Sequence, residues 1–496
     1  MSRLLADGRR LPSLDGEGAR RLREVLDRAG YSDRRIAETL GVEDVPALDR
    51  LSAHVLARRL GDADRLDVLA RLLLLGGDVG RDAARAALRP LALEECERLG
   101  LVTLDGDVVR ADYRVVPHDG LLLLSDRPRS PSRPLRPDHV LGPNPSAALL
   151  ADVTVRPQVG TVLDLGTGCG IQALLADRHA DRVVATDLNR RAVEIASFNA
   201  ALNDADIDCV EGDLLEPVRG RRFDLVVSNP PFVISPDASF LFRDSDSGGE
   251  GIARRIIEGA AGLLNERGFC QLLMNWAHID GVDWRERIEQ AFAGCGCNAW
   301  VLALQRAEPD VYASLWIRHE VRTASAVGDA LDEWMRYYDR EGITGISWCV
   351  VTMRRAPGPD TWLALDEVPT GIHAPVGDHL LRCFEAREAL AGLGPDAQLE
   401  LRPRLAPETR LEQRFTPAPD GWAPGEGRLR RDGGLPFEPS VDTQLANLLV
   451  ACDGTRPLRE LLAEAAAAAG VPTDAVVRSG AGVVRELIEA GFLLPG

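Results

Sequence analysis

The segment Val162–Leu175, VLDLGTGCGIQALL, restricts the fold more than any other stretch of this chain. An apolar run carries Asp164 near its end, glycines follow at 166, 168 and 170, and a helical pattern begins at once. Glycine lets a backbone turn sharply and approach a ligand with no Cβ in the way. A strand that turns through such a loop onto a helix N-terminus belongs at the C-terminal edge of a parallel sheet, where open α/β folds bind ligands. The spacing is G-x-G-x-G, distinct from the G-x-G-x-x-G dinucleotide fingerprint.

The sequence on either side keeps alternating strand and helix. Candidate strands are Thr161–Leu165, Arg182–Asp187, Asp208–Glu211, Phe223–Ser228, Gly268–Met274, Asn298–Leu304 and Ile346–Met353. Helical patterns separate most of them, which predicts an α/β, doubly wound, Rossmann-like sheet of seven strands. We assign it to residues 138–357. A Pro-, Arg- and Ser-rich linker, 127–137, precedes it. Residues 1–126 read as helices, with Ser32 as N-cap of Asp33–Leu40, closed by a hairpin over Leu101–Arg110 that turns at Asp105-Gly106. Helices followed by a hairpin predict a winged-helix-like domain, serving either packing or nucleic-acid or peptide binding. Residues 358–434 read as an extension and linker. Residues 435–496 read as a small, mostly helical, winged-helix-like C-terminal domain, with helices at Thr443–Ala451, Leu458–Ala468 and Val477–Ala490.

Composition narrows the class. The 496 residues contain no Lys, so 58 Arg face 76 acidic side chains, a net charge of −18. Residues 1–135 are balanced, and the excess lies in 136–496. A nucleic-acid binder usually shows a basic footprint, and none shows in bulk. Nine scattered Cys, an odd number, argue for reduced thiols. Cys295-Gly-Cys297 has no second pair at ligand spacing, so we expect packing and no metal. No apolar run reaches the length of a membrane span, and MSRLLADGRRLPSLDG lacks the apolar stretch of a signal peptide. These features predict a cytoplasmic protein.

Three carboxylates end three successive strands. Asp187 follows Asp164 by 23 residues and can accept both hydroxyls of a ribose, with Leu188 beside it. Asp213, in VEGDLLEPV, can accept an adenine amino group, with Leu214 to flank the ring. This constellation resembles the class I S-adenosylmethionine-dependent methyltransferases over about 138–355. The resemblance implies S-adenosyl-L-methionine as cofactor, with Gly166, Thr167, Gly168 and Gly170 beside its methionine part. It implies Asp187 on the ribose, Asp213 on the adenine, and Asp164 supporting the loop or the methionine amine.

After Phe223–Ser228 comes Asn229-Pro230-Pro231-Phe232. Two prolines fix φ and remove two donors. The Pro230 carbonyl and the Asn229 side-chain oxygen can then accept the two hydrogens of one –NH2 group and turn its lone pair toward the cofactor, while Phe232 stacks on a flat group. NPPF here is similar to a motif of methyltransferases acting on amide or exocyclic amino nitrogens: release-factor glutamine, rRNA guanine-N2 and adenine-N6 enzymes. The stretch 246–257 resembles the glutamine group. NPPF in place of NPPY, and Asn275-Trp276 in place of Glu-x-Gly, depart from it. His139–Ser146 resembles the position of a lid, with Asn144 and Ser146 capping a loop. The reading is an N-methyltransferase with a protein or peptide substrate favoured over a nucleic acid. An RNA- or DNA-base enzyme is the alternative, and a small-molecule amine enzyme the third.

Overall fold

The computed structural model describes residues 16–496 apart from 46–47, 49–50, 63, 129–135, 237–249, 318–323, 369 and 373–374. Most of the expected linker 127–137 and the start of the 246–257 stretch therefore lie outside the described residues. The chain divides into two compact units, residues 1–151 with 157–367, and residues 152–156 with 368–496.

The first unit is built on one large sheet. Its strands are β1 (Val159–Leu165), β2 (Ala180–Asp187), β3 (Ile207–Glu211), β4 (Phe223–Ser228), β5 (Leu264–Ile279), β6 (Cys297–Ala307), β7 (Ile343–Arg355) and β8 (Leu363–Glu367). Their spatial order is β8-β6-β7-β5-β4-β1-β2-β3. Strands β1 to β5 run parallel, β7 is antiparallel to both neighbours, and β8 is parallel to β6. The central strands are nearly continuous apolar runs because helices cover both faces. Helices α1 (Pro145–Val153), α2 (Ile171–Asp177), α3 (Arg190–Leu202), α4 (Gly251–Leu263), α5 (Trp284–Phe292), α6 (Pro309–Ile317) and α7 (Ala324–Glu341) accompany the strands. Strand β1 lies between β2 and β4, so the winding reverses direction there. The crevice beyond the C-terminal ends of β1 and β4 is the topological switch point.

The described sheet has eight strands, one more than the seven expected, and it passes residue 357. Strand β8 is a half-buried edge strand ending in Asp366 and Glu367, so it lacks the apolar run of its neighbours. Strand β5 continues through Asn275 and Trp276, which the sequence reading set after the strand. Trp276 is fully buried in the core under α4 and α5, beneath the guanidinium groups of Arg254 and Arg287.

The N-terminal segment belongs to the same compact unit as the sheet, since Leu22, Leu26, Leu69 and Leu73 share one core with Ile171, Leu174, Ile195 and Phe198 of α2 and α3. Its helix Asp33–Leu40 begins after Ser32 as expected, although the Ser32 side chain makes no capping bond. A short strand (Val79–Gly80), two helices (Arg81–Ala87 and Leu93–Arg98) and a hairpin (Val102–Asp105, Val108–Ala111) follow in that order. The hairpin turns at Gly106-Asp107, one residue later than expected. A second hairpin, Tyr113–His118 with Leu121–Asp126, was not expected, although Asp119 and Gly120, both at positive φ, carry its turn signal. It lies on α3, where Asn199 and Asn203 act as a substitute sheet edge. Each accepts a backbone N–H and donates back to the carbonyl of one residue, Leu124 and Leu122 respectively, at 2.8–2.9 Å.

Of the expected extension and linker 358–434, residues 363–367 form β8 of the first unit, and the part in the second unit, from 368 on, is more structured than a linker. It holds the helix Gly377–Ala391 and a hairpin, Thr409–Ala418 with Gly421–Arg431. Most of the hairpin faces solvent, so its composition is that of a loop. The three expected C-terminal helices are present at Thr443–Ala451, Leu458–Ala469 and Thr473–Glu489, around Leu449, Leu461, Val484 and Phe492. No helix among the described residues is long and apolar enough to cross a membrane.

Candidate functional site

The site begins where β1 and β4 end side by side. Leu165 and Ser228 are register partners, and the Ser228 hydroxyl donates to the Leu165 carbonyl at 2.7 Å. The next residues are Gly166 and Asn229, so the glycine loop and the Asn-Pro-Pro-Phe loop start from adjacent strand ends. Gly166, Gly168 and Gly170 adopt φ of 75°, 56° and 85°, which L side chains rarely adopt. A Cβ on Gly170 would also meet Ala196 of α3 at 3.2 Å. The loop is pinned to β2 by the Gly166 and Thr167 N–H groups, both donating to the Thr186 carbonyl.

Asp164 is buried beneath this loop. Its Oδ2 accepts from the Thr167 hydroxyl at 2.6 Å and the Ala173 N–H at 3.0 Å. Burial raises its pKa to about 7. Of the two roles that the resemblance implied, loop support is the one its bonds display. Asp187 stands half-buried at the end of β2. Its Oδ2 accepts from the Gly168 N–H at 2.9 Å and its Oδ1 from the Asn189 N–H at 2.8 Å. Burial raises its pKa while those amides oppose the rise. Each oxygen keeps lone pairs for a further donor. Leu188 beside it is an apolar side chain left 57% exposed. The Gly212 N–H donates to the Asp187 carbonyl, which sets the turn carrying Asp213 against the end of β2. Asp213 pairs with Arg255 of α4 at 3.3 Å, a partner absent from the sequence reading. Leu214 sits at φ 43°, an uncommon conformation for a leucine.

Asn229 is oriented by a relay. Asn144 accepts the Ala147 N–H at 3.0 Å and donates to the Gly142 carbonyl at 3.3 Å, which fixes its carboxamide. The Ser146 hydroxyl donates to Asn144 Oδ1 at 2.6 Å. With its proton committed, Ser146 Oγ accepts from Asn229 Nδ2 at 3.2 Å. Asn229 Oδ1 therefore faces away, and it is buried without a hydrogen-bond partner among the described residues. Where loop capping was expected of both, Asn144 caps the start of α1 and Ser146, bonded to it, aims Asn229.

The rest of the loop is held from α6 and α7. The Ile234 N–H donates to Tyr312 Oη at 3.2 Å, and Tyr338 Oη donates to the Ile234 carbonyl at 2.8 Å. Asn275 Nδ2 also reaches Tyr312 Oη. Phe232 packs edge-on against Trp316, with ring centroids 6.5 Å apart. Pro230 is buried. Tyr312, Trp316 and Tyr338 escaped the sequence reading. The one available signal was the four-residue spacing of Tyr312 and Trp316, which sets both on one helix face.

The other singled-out residues serve structure. His278 bonds Ser347 at 2.8 Å, and burial lowers its pKa to about 4. His139 is buried 3.6 Å from Asp126. Cys295 and Cys297 lie in the core. Among the described residues no group of three or more His, Cys, Asp or Glu could hold a metal ion.

Residues 143–297 match the model of the methyltransferase small domain. Residues 28–112 and 383–495 match models described as domains of unknown function (DUF7059 and DUF7782). The release factor glutamine methyltransferase of Aquifex aeolicus is 39% identical over 102 residues, 19% of this chain and 36% of that protein. That of Bordetella pertussis is 34% identical over 160 residues, 29% and 58% respectively. The T. thermophilus 16S rRNA N2 G1207 methyltransferase, solved with AdoMet and guanosine, covers 63% of this chain and 71% of its own at 17% identity, with a TM-score of 0.29. The chain spans about a third to three fifths of the length of the first curated relatives it matches. Over residues 143–297, which carry the glycine loop and Asn229, the chain is thus similar to methyltransferases, release factor glutamine methyltransferases among them.

Proposed function

We propose that the protein is an S-adenosylmethionine-dependent N-methyltransferase acting on an amide nitrogen, a glutamine side chain, of a protein substrate. The observation that carries this reading is the orphaned Asn229 Oδ1, aimed by Ser146 at the end of β4 beside the glycine loop. A buried acceptor without a donor is costly and marks a place where a ligand N–H belongs.

The residues fit the cofactor. Gly166–Gly170 leave the backbone open to the methionine part, with no atom within 4 Å of where a Cβ on Gly166 or Gly168 would sit. Asp187 keeps lone pairs for ribose hydroxyls, Asp213 takes the adenine amino group, and Leu188 and Leu214 flank its ring. Bound S-adenosylmethionine supplies a sulfonium methyl, which the substrate nitrogen takes as the S–CH3 bond breaks, its proton passing to water. Asn229 Oδ1 and the Pro230 carbonyl hold the two hydrogens of the –NH2 group and so direct its lone pair, and Phe232 lies against the planar amide. Such positioning supplies much of the rate without a strong base.

A protein substrate is favoured by the pairing of the N-terminal arginines. Arg21, Arg81, Arg85 and Arg110 each engage a carboxylate, which leaves less positive charge for a polyanion. We read residues 65–111 as a winged-helix-like module, from its order of helix, short strand, two helices and hairpin, and the helices after 442 as a second reader of the substrate. Nine free cysteines argue for the cytoplasm.

The test uses methyl-labelled S-adenosylmethionine with the purified protein and a lysate from cells lacking it. Label released by protease and located on glutamine by mass spectrometry is the expected result. Label released only by nuclease overturns the reading in favour of an RNA or DNA base.

A further inference from the structure

The loop that carries Asn229 meets a second unsatisfied polar atom. Trp316 Nε1, on α6, is buried and has no hydrogen-bond partner among the described residues. Its ring stands edge-on to Phe232, three residues after Asn229. Helix α6 is not free to drift from that loop, because Tyr312, one turn earlier and 6.1 Å from the Trp316 ring, accepts the Ile234 N–H. The site therefore offers a buried acceptor, Asn229 Oδ1, and a buried donor, Trp316 Nε1, with Phe232 three residues after the first and packed against the second; Asn275 Oδ1 is a further unpaired acceptor, on a side chain bonded to Tyr312. Buried polar groups in folded proteins are nearly always paired. Trp276 Nε1 is also unpaired, but its ring lies in the core under two guanidinium groups. Trp316 has no comparable cover from a cation among the described contacts.

We propose that Trp316 is a specificity residue whose indole N–H takes the carbonyl oxygen of a substrate primary amide, while Asn229 takes its –NH2. A primary amide presents one acceptor and one –NH2 group on a single planar unit, the complement of this pair. An alkyl amine lacks the acceptor and leaves the indole unpaired. A site built to bond a group rejects the analogue lacking it, because its own buried partner is left stranded. The inference rests on the proposed amide methylation and adds the residue that reads the amide.

Two measurements test it. In protein saturated with S-adenosylhomocysteine and 15N-labelled at its eight tryptophans, the Trp316 indole signal is assigned by loss in Trp316→Phe. Titration with N-acetyl-glutamine methylamide moves that signal downfield in a saturable way, and N-acetyl-ornithine methylamide does not. A signal that ignores the glutamine amide, or answers both compounds alike, overturns the proposal whatever the fate of methyl transfer. Conversely, a selective response without labelled protein would refute the proposed reaction and leave the amide site standing. In the second measurement, Trp316→Phe keeps the ring against Phe232 and lowers transfer to glutamine about 10- to 100-fold, the cost of one buried hydrogen bond, with cofactor affinity unchanged. Equal transfer rates in the two proteins also overturn it.

Discussion

Replacing Asp187 by Asn isolates the cofactor half of the site. The change conserves shape and removes one acceptor and the charge. In the native loop each carboxylate oxygen already receives a backbone N–H, from Gly168 and from Asn189. An Asn side chain has one acceptor oxygen, so its –NH2 must confront one of those two donors. One amide then loses its partner, and a ribose hydroxyl loses its anionic acceptor. A hydrogen bond to a charged group contributes about 1.5–3 kcal/mol. Taking about 2 kcal/mol for binding, the dissociation constant for S-adenosylmethionine should rise about 30-fold. Isothermal titration of the variant and the native protein measures this directly, and S-adenosylhomocysteine should show the same loss because it carries the same ribose. Affinity within twofold of native, in a protein whose unfolding midpoint is unchanged, would refute the placement of the ribose at Asp187.

Two further outcomes follow from the same geometry. Ser146→Ala removes the acceptor that orients Asn229, so methyl transfer should fall about tenfold, the cost of a hydrogen bond near 1.4 kcal/mol, with cofactor affinity intact; an unchanged rate would show that the relay does not aim Asn229. Burial holds Asp164 protonated up to about pH 7. Its folded pKa lies above its unfolded value, so it should draw stability down as pH rises from about 4 to 7 and add no slope above that. A cationic cofactor nearby favours the carboxylate, so binding near pH 6.5 should release protons, up to one per site. Titrations in buffers of different ionisation enthalpy read that release, and a heat independent of buffer would contradict it.

Most of the large sheet was legible because a strand covered on both faces must be apolar along its whole length. The runs in β1, β4 and β5 announce themselves for that reason. The same logic hid β8, a half-exposed edge strand, and the hairpin Thr409–Ala418 with Gly421–Arg431, whose solvated faces carry the residues of a loop. The missed hairpin before Asp126 has another cause. Its outer edge is satisfied by two asparagines on α3, some 75 residues away in sequence, and nothing local marks them as sheet partners.

The candidate site divides along the same line. Local chain chemistry determined the glycine loop, the carboxylates at successive strand ends and the proline pair after Asn229, because each needs only backbone stereochemistry and a neighbouring strand. The direction of the Asn229 carboxamide was decided in three dimensions, by Asn144 and Ser146 at the start of α1. The anchoring of its loop fell to Tyr312 and Tyr338, and the unpaired indole of Trp316 arrives beside Phe232 on α6. Those groups come from helices more than 70 residues away on either side of the loop. No periodicity or motif encodes such contacts, since they exist only once the sheet has brought the ends of β1 and β4 together under its helices.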